Sequence, residues 1–381
     1  FQTAAIYITH DLAVVAQMAD VIKVLRYGET VEDAPARKML QQPEMPYTKS
    51  LWAVRSLEKP QETSEDIVLR VNGVDASYGG AIKVLDDVTI DIPRGSTVAV
   101  VGESGSGKTV TSMSIMGLVP TPPARVNTGS LLFKGDELID RPHADMRKIR
   151  GREIAMVFQE PAKYLNPSLK IGEQITEMLI LHLGMSKQQA EAKALEVLDV
   201  VGLGKSRRVL NAYPHELSGG MKQRAMIAMA ICCNPSLLIA DEPTTALDVT
   251  LQLQILKLIR DLKATFSMGL LFISHNLGVV REIADRVAVI YAGKIVESAS
   301  NEALFENTLH PYTTALLQSI PDAEKRGQRL QAIPGSVPDA ENIPNGCSFH
   351  PRCTLANDKC SQEIPITRDY GPGHSAACHM I

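Results

Sequence analysis

The chain has 381 residues, a formal net charge of −4 at pH 7, 45% hydrophobic residues and only 4% aromatic residues. This length can hold one complete domain with additional segments, and the weakly acidic charge without a basic tail argues against a nucleic-acid partner. The most apolar helical stretch, residues 225–233, is too short to cross a bilayer, so partner chains must supply any membrane-spanning helices.

The opening of the chain is repeated later in the sequence. Residues 7–12 (YITHDL) resemble residues 272–277 (FISHNL), and the same offset in residue number pairs Gly28 with Gly293. A constant offset over about forty residues indicates an internal repeat. His10 would then belong to a first domain whose front lies outside this sequence. We expect the tail of that domain at residues 1–57, a polar linker at 58–66, a complete second copy at 67–300 and an extension at 301–381.

A glycine-rich segment follows the apolar run Thr97–Val101 and precedes a predicted helix at residues 110–118. Its pattern, G-x-x-x-x-G-K-[ST] between strand and helix, is typical of a phosphate-binding loop rather than of a plain glycine turn. Glycines let the backbone wrap an anion, and the successive N–H groups supply positive potential. The motif consists of Gly102, Glu103, Ser104, Gly105, Ser106, Gly107, Lys108 and Thr109. We expect Lys108 to reach the β- and γ-phosphates of a nucleoside triphosphate and the Thr109 hydroxyl to ligate Mg²⁺.

Four short motifs follow this loop along the chain, and each of them alone has a plain structural interpretation. They are Gln159 at a strand end, the turn Ser218, Gly219 and Gly220 before a long helix, Asp241 and Glu242 after a buried strand, and His275 after the next strand. Carboxylates at the carboxyl end of a buried parallel strand suit metal binding and base catalysis. Neighbours on a strand point to opposite faces, so we expect Asp241 and Glu242 to have separate roles.

Taken together, the order and spacing of these motifs over residues 67–300 resemble the nucleotide-binding domain of ABC ATPases. The resemblance implies an α/β fold of the P-loop NTPase type, with an antiparallel β portion and a helical signature subdomain. It also implies that two such domains dock head to tail and sandwich ATP between the phosphate loop of one and the signature of the other. The partner ATPase domain would be the missing first half of a tandem chain.

The resemblance also implies a role for each motif residue. Tyr78 would stack on adenine, Gln159 would contact Mg²⁺ and link catalysis to the permease, Asp241 would hold Mg²⁺ through water, Glu242 would be the general base, and His275 would contact the γ-phosphate. Ser218, Gly219 and Gly220 would contact the nucleotide of the opposite domain. Met221 replaces the usual glutamine of the signature; we expect nucleotide binding to survive, and its effect on hydrolysis is open.

The C-terminal region indicates a particular group within the ABC ATPases. Residues 310–313 (HPYT), 333–338 (IPGSVP) and 345–353 (NGCSFHPRC) resemble the extension of ATPase subunits from bacterial dipeptide and oligopeptide importers. The resemblance implies two transmembrane permease subunits, an extracytoplasmic substrate-binding protein and a location at the cytoplasmic face of the inner membrane. Importers of nickel and other small solutes belong to the same broader family and are the alternative.

Four of the six cysteines lie in this extension: Cys347, Cys353, Cys360 and Cys378. A cytosolic ATPase works in a reducing compartment, which favours a metal site over two disulfides. Spacing alone does not choose the metal, because His350, His374 and His379 could complete a zinc site with fewer cysteines. The resemblance favours a structural [4Fe–4S] cluster held by the four cysteines. Cys232 and Cys233 are interpreted as core residues of the signature helix.

Two other classes of function fit the sequence less well than a transporter ATPase. A soluble ABC ATPase that acts on ribosomes or nucleic acid would be expected to carry a basic arm, and this chain has a short acidic linker instead. A metal-binding scaffold with a regulatory nucleotide site would not need an intact Lys108, Asp241, Glu242 and His275. Both alternatives are therefore less favoured than transport.

Overall fold

The computed structural model describes residues 4–9, 15, 18–26, 28–52, 65–245, 247–320 and 332–381. The expectations for His10 and for most of the linker lie outside these residues. Within these ranges, no helix combines the length and the apolar character needed to cross a membrane.

Within the described ranges, fourteen strands form three sheets. They are β1 (Val21–Arg26), β2 (Glu29–Pro35), β3 (Ile67–Tyr78), β4 (Ile82–Pro93), β5 (Thr97–Val101), β6 (Ala124–Phe133), β7 (Asp136–Glu137), β8 (Ile154–Val157), β9 (Leu237–Asp241), β10 (Gly269–Ser274), β11 (Arg286–Tyr291), β12 (Lys294–Ser300), β13 (Arg368–Gly371) and β14 (His374–Ala376).

The described α-helices lie between these strands, and five of them, α5 to α9, follow one another between β8 and β9. They are α1 (Ala36–Gln41), α2 (Pro46–Trp52), α3 (Lys108–Ile115), α4 (His143–Ile149), α5 (Pro161–Tyr164), α6 (Ile171–Leu183), α7 (Lys187–Val200), α8 (Ser206–Leu210), α9 (Gly219–Ile231), α10 (Val249–Phe266), α11 (Leu277–Ile283), α12 (Asn301–Glu306), α13 (Pro311–Gln318) and α14 (Asp358–Gln362).

The largest sheet has eight strands in the order β13-β14-β12-β11-β5-β10-β9-β8. Strands β11, β5, β10, β9 and β8 run parallel to one another, whereas β12 pairs antiparallel with β11. All residues of β5, β9 and β10 are buried, which explains why they read as nearly continuous apolar runs. Register aligns Val101 with Ser274 and Asp241 with Ile273, so the segments that follow these strands meet at one edge of the sheet.

Two further layers surround the central sheet. The antiparallel sheet β4-β3-β6-β7 shares a buried core with one face of the eight-stranded sheet, including Val71, Ile92 and Ile239. Helices α6 to α9 contribute Ile175, Leu198 and other side chains to the second core on the opposite face. An antiparallel β portion and a helical portion therefore both exist, as the sequence predicts.

The internal repeat recurs in the folded chain. Strand β1 corresponds to β11, strand β2 to β12 and helix α1 to α12. The first and last residues of each pair are separated by the offset found in the sequence, and the first residues of α2 and α13 are separated by the same offset. Gly28 and Gly293 both have positive φ, at 84° and 80°. Glu32 accepts hydrogen bonds from two successive backbone N–H groups at 2.9 and 3.1 Å, and Glu297 does the same at 2.8 and 3.0 Å. The two segments are therefore similar in sequence and also make equivalent hydrogen bonds.

The C-terminal extension packs directly on the central sheet. Its hairpin, β13 and β14, adds to the edge of the sheet at β12. Tyr291 of β11, Tyr312 of α13 and Phe349 are buried together, with ring centroids 4.7 to 5.2 Å apart. Because edge-to-face and tilted aromatic contacts add to the burial of large rings, this cluster attaches the extension next to the phosphate-binding loop.

Candidate nucleotide site

The phosphate-binding loop connects β5 to α3. A Cβ atom on Gly102 would lie 2.3 Å from the Ile290 carbonyl oxygen, so only glycine fits there. Gly107 has φ of 108° immediately before the helix, a conformation that side chains other than glycine rarely adopt. Helix α3 begins at Lys108, two residues before the predicted start, because Gly107 already directs the chain into the first turn. The local geometry is a backbone cradle at a helix N-terminus, which favours an anion.

The Lys108 ammonium lies inside this cradle. Its Nζ donates hydrogen bonds to the carbonyl oxygens of Gly102 and Glu103, both at 2.8 Å. Lys108 is only 5% exposed. Burial lowers the pKa of its ammonium, while the charges of Glu242, Asp241 and Glu103 oppose that shift. A buried cation held only by carbonyl oxygens is suited to receive a more strongly negative ligand.

The two adjacent carboxylates make different contacts, as the alternation of strand side chains predicts. Asp241 is the last residue of β9 and accepts a hydrogen bond from the Thr109 hydroxyl, while burial raises its pKa. Glu242 follows with φ of 46°, and its carboxylate accepts hydrogen bonds from Gln159 Nε2 and Thr245 Oγ1, both at 2.9 Å. The structure thus joins Asp241 to the loop through Thr109 and joins Glu242 to Gln159 and Thr245.

His275 completes the group around Glu242. Its Nδ1 lies 3.0 Å from Glu242 Oε1. This contact is the main cause that lowers the pKa of Glu242 and raises the pKa of His275. Glu242 is therefore ionised at neutral pH and able to accept a proton.

A cleft of about 760 Å³ is lined by Lys108, Glu242 and His275, but not by Asp241. This size is usual for small-molecule sites. One side is formed by the phosphate-binding loop with Gln159, Glu242, Thr245 and His275. Another wall comes from the extension, which contributes Gly335, Ser336, Val337, Pro338, Ala340 and Ile343. The loop, the carboxylate and the histidine are thus brought together by the fold, although they lie far apart in sequence.

Comparison with known proteins identifies this arrangement. Residues 85–245 match the model of the ABC transporter family, and residues 296–360 match the model described as oligopeptide/dipeptide transporter, C-terminal region. The chain is 50% identical over 299 residues to the oligopeptide transport ATP-binding protein AppD of Bacillus subtilis (strain 168), with 78% of this chain and 91% of that protein covered. The chain belongs to the ABC transporter ATP-binding proteins.

Other relatives agree with this assignment. A putative peptide import ATP-binding protein of Brucella melitensis biotype 1 is 50% identical over 308 residues, covering 78% of this chain and 91% of that protein. The solved dimeric structure of MJ0796, a bacterial ABC transporter cassette, superposes with a TM-score of 0.55 at 28% identity, covering 61% of this chain and 98% of that one. This ABC protein is therefore an ATPase, and its family implies ATP and Mg²⁺.

Some of the predicted site residues of this ABC ATPase do not line the cleft. Tyr78 ends β3 and is half-buried, but it does not line the cleft. Ser218 and Gly219 are exposed at the start of α9, also away from the cleft, and Gly220 is buried behind them. The Ser218 hydroxyl accepts a hydrogen bond from the Met221 backbone N–H at 3.4 Å. The Met221 backbone N–H thus takes part in the N-terminal cap that Ser218 forms on α9, while the partly buried Met221 side chain packs against the core.

Three residues that contact the site were missed by the sequence analysis. Thr245 donates to Glu242, the Tyr312 hydroxyl accepts the Glu103 backbone N–H at 2.8 Å, and Arg352 pairs with the Glu103 carboxylate at 2.8 Å. Thr245 lies three residues after Glu242 and could have been found from that spacing. Tyr312 and Arg352 are more than 200 positions from the loop, and no local pattern connects them to it.

The four cysteines of the extension of this ABC ATPase share one neighbourhood. The Cys347 backbone N–H donates to the Cys360 carbonyl at 2.8 Å. The pKa of the Cys347 thiol is raised first by burial and further by the thiols of Cys360, Cys378 and Cys353. Within the described part of the chain, however, no three His, Cys, Asp or Glu side chains form a group that could hold a metal ion.

The histidines proposed as alternative zinc ligands contact other groups. His350 Nδ1 lies 2.9 Å from the Cys347 carbonyl, His374 Nε2 lies 2.9 Å from Glu297, and His379 Nε2 lies 2.9 Å from the Glu363 carbonyl. Cys232 and Cys233 are buried in the helical core, which confirms their interpretation as core residues.

Proposed function

We propose that this chain hydrolyses ATP in the cleft described above to drive the import of dipeptides and oligopeptides. The main support for an ATPase site is the position of Glu242, which contacts Gln159, Thr245 and His275 and lies in the same cleft as Lys108. Peptide cargo is supported by the oligopeptide/dipeptide match of the extension and by the peptide import relatives.

In the proposed reaction, a water oxygen attacks the γ-phosphorus, the bond to the β-phosphate oxygen breaks, and ADP and phosphate leave. Glu242 accepts the proton of the water, which its lowered pKa permits at neutral pH. Lys108 and the loop N–H groups hold the phosphates, and His275 contacts the γ-phosphate. Such transfer depends mainly on positioning and charge stabilisation.

Three residues at the site have oxygen atoms suited to a Mg²⁺ ion. Thr109 and Asp241 are joined by a hydrogen bond at the loop, and Thr109 and Gln159 line the same cleft. We propose that Thr109 and Gln159 ligate the ion and that Asp241 holds it through water. When bound, Mg²⁺ neutralises charge that develops on the phosphate oxygens.

The signature residues would act on a second nucleotide. Ser218 and Gly219 are exposed, and no atom from other described parts of the chain lies within 4 Å of the Cβ position at Gly219, which leaves room for a phosphate. We propose that they face the phosphate-binding loop of a partner ATPase domain in a head-to-tail pair. The repeat of β1, β2, α1 and α2 supports a tandem parent chain in which residues 1–57 end the first domain and residues 67–300 form the second.

The remaining partners follow from the proposed role at the cytoplasmic face of a bacterial inner membrane. Tyr164, Ile180 and Leu181 in the helical layer are exposed, with Leu181 at 72%. We propose that this surface contacts two transmembrane permease subunits and that an extracytoplasmic substrate-binding protein delivers the cargo.

The proposed cargo is tested by ATPase assays on the tandem protein reconstituted with its permease and binding protein. We expect short peptides to stimulate phosphate release and Glu242→Gln to abolish that stimulation. Nickel and other small solutes are assayed in parallel as controls. Unchanged hydrolysis with peptides but stimulation by one of these solutes would reject peptide import while keeping the ATPase.

We further propose that Cys347, Cys353, Cys360 and Cys378 hold a structural [4Fe–4S] cluster. Four thiols in one neighbourhood have the donor chemistry of such a cluster, and no step of hydrolysis depends on it. Protein purified without oxygen should contain iron and acid-labile sulfide, and both should fall in Cys378→Ser. The matched control Cys232→Ala, in the core of the helical layer, should retain both. Zinc without iron or sulfide in the wild type would reject the cluster.

A further inference from the structure

The phosphate-binding loop contains a carboxylate whose role the proposed mechanism does not explain. Glu103 follows the first glycine of the loop, and its side chain is 29% exposed beside the cleft. A nucleoside triphosphate carries several negative charges, so an unpaired carboxylate at this position would repel it. The Glu103 charge also acts on Lys108: it raises the pKa of the ammonium, but it lowers the net positive charge that the cradle offers to a nucleotide. Some other group must therefore neutralise Glu103.

Arg352 of the C-terminal extension is that group. Its Nη1 lies 2.8 Å from Glu103 Oε2, and its Nη2 lies 2.9 Å from Oε1. The two parallel contacts form a bidentate pair, which is stronger and more specific in direction than a single contact. The Arg352 side chain is only 6% exposed, so solvent and salt screen this pair less than a surface ion pair.

The extension holds Arg352 in place through several contacts. Arg352 Nε donates to the Pro334 carbonyl at 2.7 Å, and Nη1 lies 3.4 Å from the Tyr291 hydroxyl. The guanidinium carbon lies 5.8 Å from the Tyr291 ring centre and 6.0 Å from that of Phe349, distances at which cations attract aromatic rings. The guanidinium is thus fixed before any nucleotide binds.

The backbone of Glu103 is held by the same extension. Its N–H donates to the hydroxyl of the fully buried Tyr312 at 2.8 Å, and its carbonyl accepts from Lys108 Nζ at 2.8 Å. The side chain and the backbone of one loop residue are therefore both attached to the extension. The same residue contacts the cation expected to bind phosphate.

We propose that Arg352 is a positioning residue for nucleotide binding in this ATPase. It neutralises the Glu103 carboxylate and holds it in a fixed position, so that Lys108 remains available to the nucleotide. This inference rests on the proposed nucleotide site. It assigns to the C-terminal extension a role in ATP affinity, in addition to any structural role of its cysteines.

The inference is tested in the full chain by titrating a fluorescent ATP analogue and by measuring KM and kcat for ATP. Removing the cation in Arg352→Gln leaves Glu103 unpaired, and we expect Kd and KM to rise about tenfold or more with kcat within about threefold, since bonds to charged groups are among the stronger ones. Arg352→Lys retains the charge without the bidentate geometry and should lie between Arg352→Gln and the wild type.

The double variant Glu103→Gln with Arg352→Gln separates charge neutralisation from a purely structural role. It removes the unpaired carboxylate, so we expect Kd to return to within about threefold of the wild type. Arg286→Gln is the matched control, because Arg286 also ties the extension to the sheet, through Gly373 at 2.7 Å, without touching the loop. Its Kd should not change.

Each outcome decides between two explanations. If Arg352→Gln binds ATP like the wild type while Lys108→Ala binds weakly, the proposed site holds and the role of Arg352 is rejected. If the double variant binds as weakly as Arg352→Gln, Arg352 is only a structural support and the inference is also rejected. If Lys108→Ala binds like the wild type, the proposed nucleotide site itself is wrong.

Discussion

Glu242→Gln is expected to reduce ATP turnover by at least about 100-fold, the usual contribution of a positioned general base, while ATP affinity stays within a few-fold of the wild type. Glutamine has nearly the same shape, and its amide oxygen can still accept hydrogen bonds from Gln159 and Thr245. It cannot accept the proton of the attacking water. The loss should therefore appear in the chemical step rather than in binding.

Single-turnover hydrolysis and a nucleotide titration on the same preparation measure the two effects of Glu242→Gln separately. Glu196→Gln is the matched control, because Glu196 forms only an exposed contact with Lys193 and should turn over ATP like the wild type. Hydrolysis by Glu242→Gln within a few-fold of the wild type would remove Glu242 from the role of base.

Lys108→Ala is expected to weaken ATP binding by at least about 30-fold, in line with the loss of hydrogen bonds to a charged group. The cradle loses its buried ammonium, so less positive charge remains to oppose the nearby charges of Asp241, Glu242 and Glu103 and to attract the phosphates. The defect should appear as a raised Kd, in contrast to the effect of Glu242→Gln.

Isothermal titration with ATP and Mg²⁺ measures the Kd of Lys108→Ala, and thermal unfolding without nucleotide checks that the variant folds. Lys134→Ala is the control, because Lys134 pairs with Glu153 on the surface and should leave the Kd unchanged. A folded Lys108→Ala protein with wild-type affinity would place the nucleotide elsewhere.

Much of the central site could be predicted because its signals are local. The phosphate-binding loop depends on glycine positions and a helix start within eight residues, and these act through backbone geometry. The placement of Gln159, Glu242 and His275 at strand ends was also predictable, since parallel strands bring their carboxyl ends to one edge of a sheet. The structure adds their mutual hydrogen bonds.

Other predictions from the sequence depended on resemblance and remain proposals. Tyr78 was assigned to adenine, but its side chain does not line the cleft of this single chain. The four cysteines of the extension lie near one another without forming a metal-binding group among the described residues. Side-chain convergence depends on packing and on bound groups, and spacing in the sequence does not encode it.

By itself, the sequence determined the glycine-rich loop, the order of the predicted site motifs and the internal repeat at a constant offset, because each is a short pattern or a constant register. Only the tertiary structure decided that the extension forms a wall of the cleft and that Arg352 neutralises Glu103. These two residues are 249 positions apart. Their contact exists because the aromatic cluster of Tyr291, Tyr312 and Phe349 packs the extension against the sheet, and packing between distant segments leaves no periodic pattern in a single sequence.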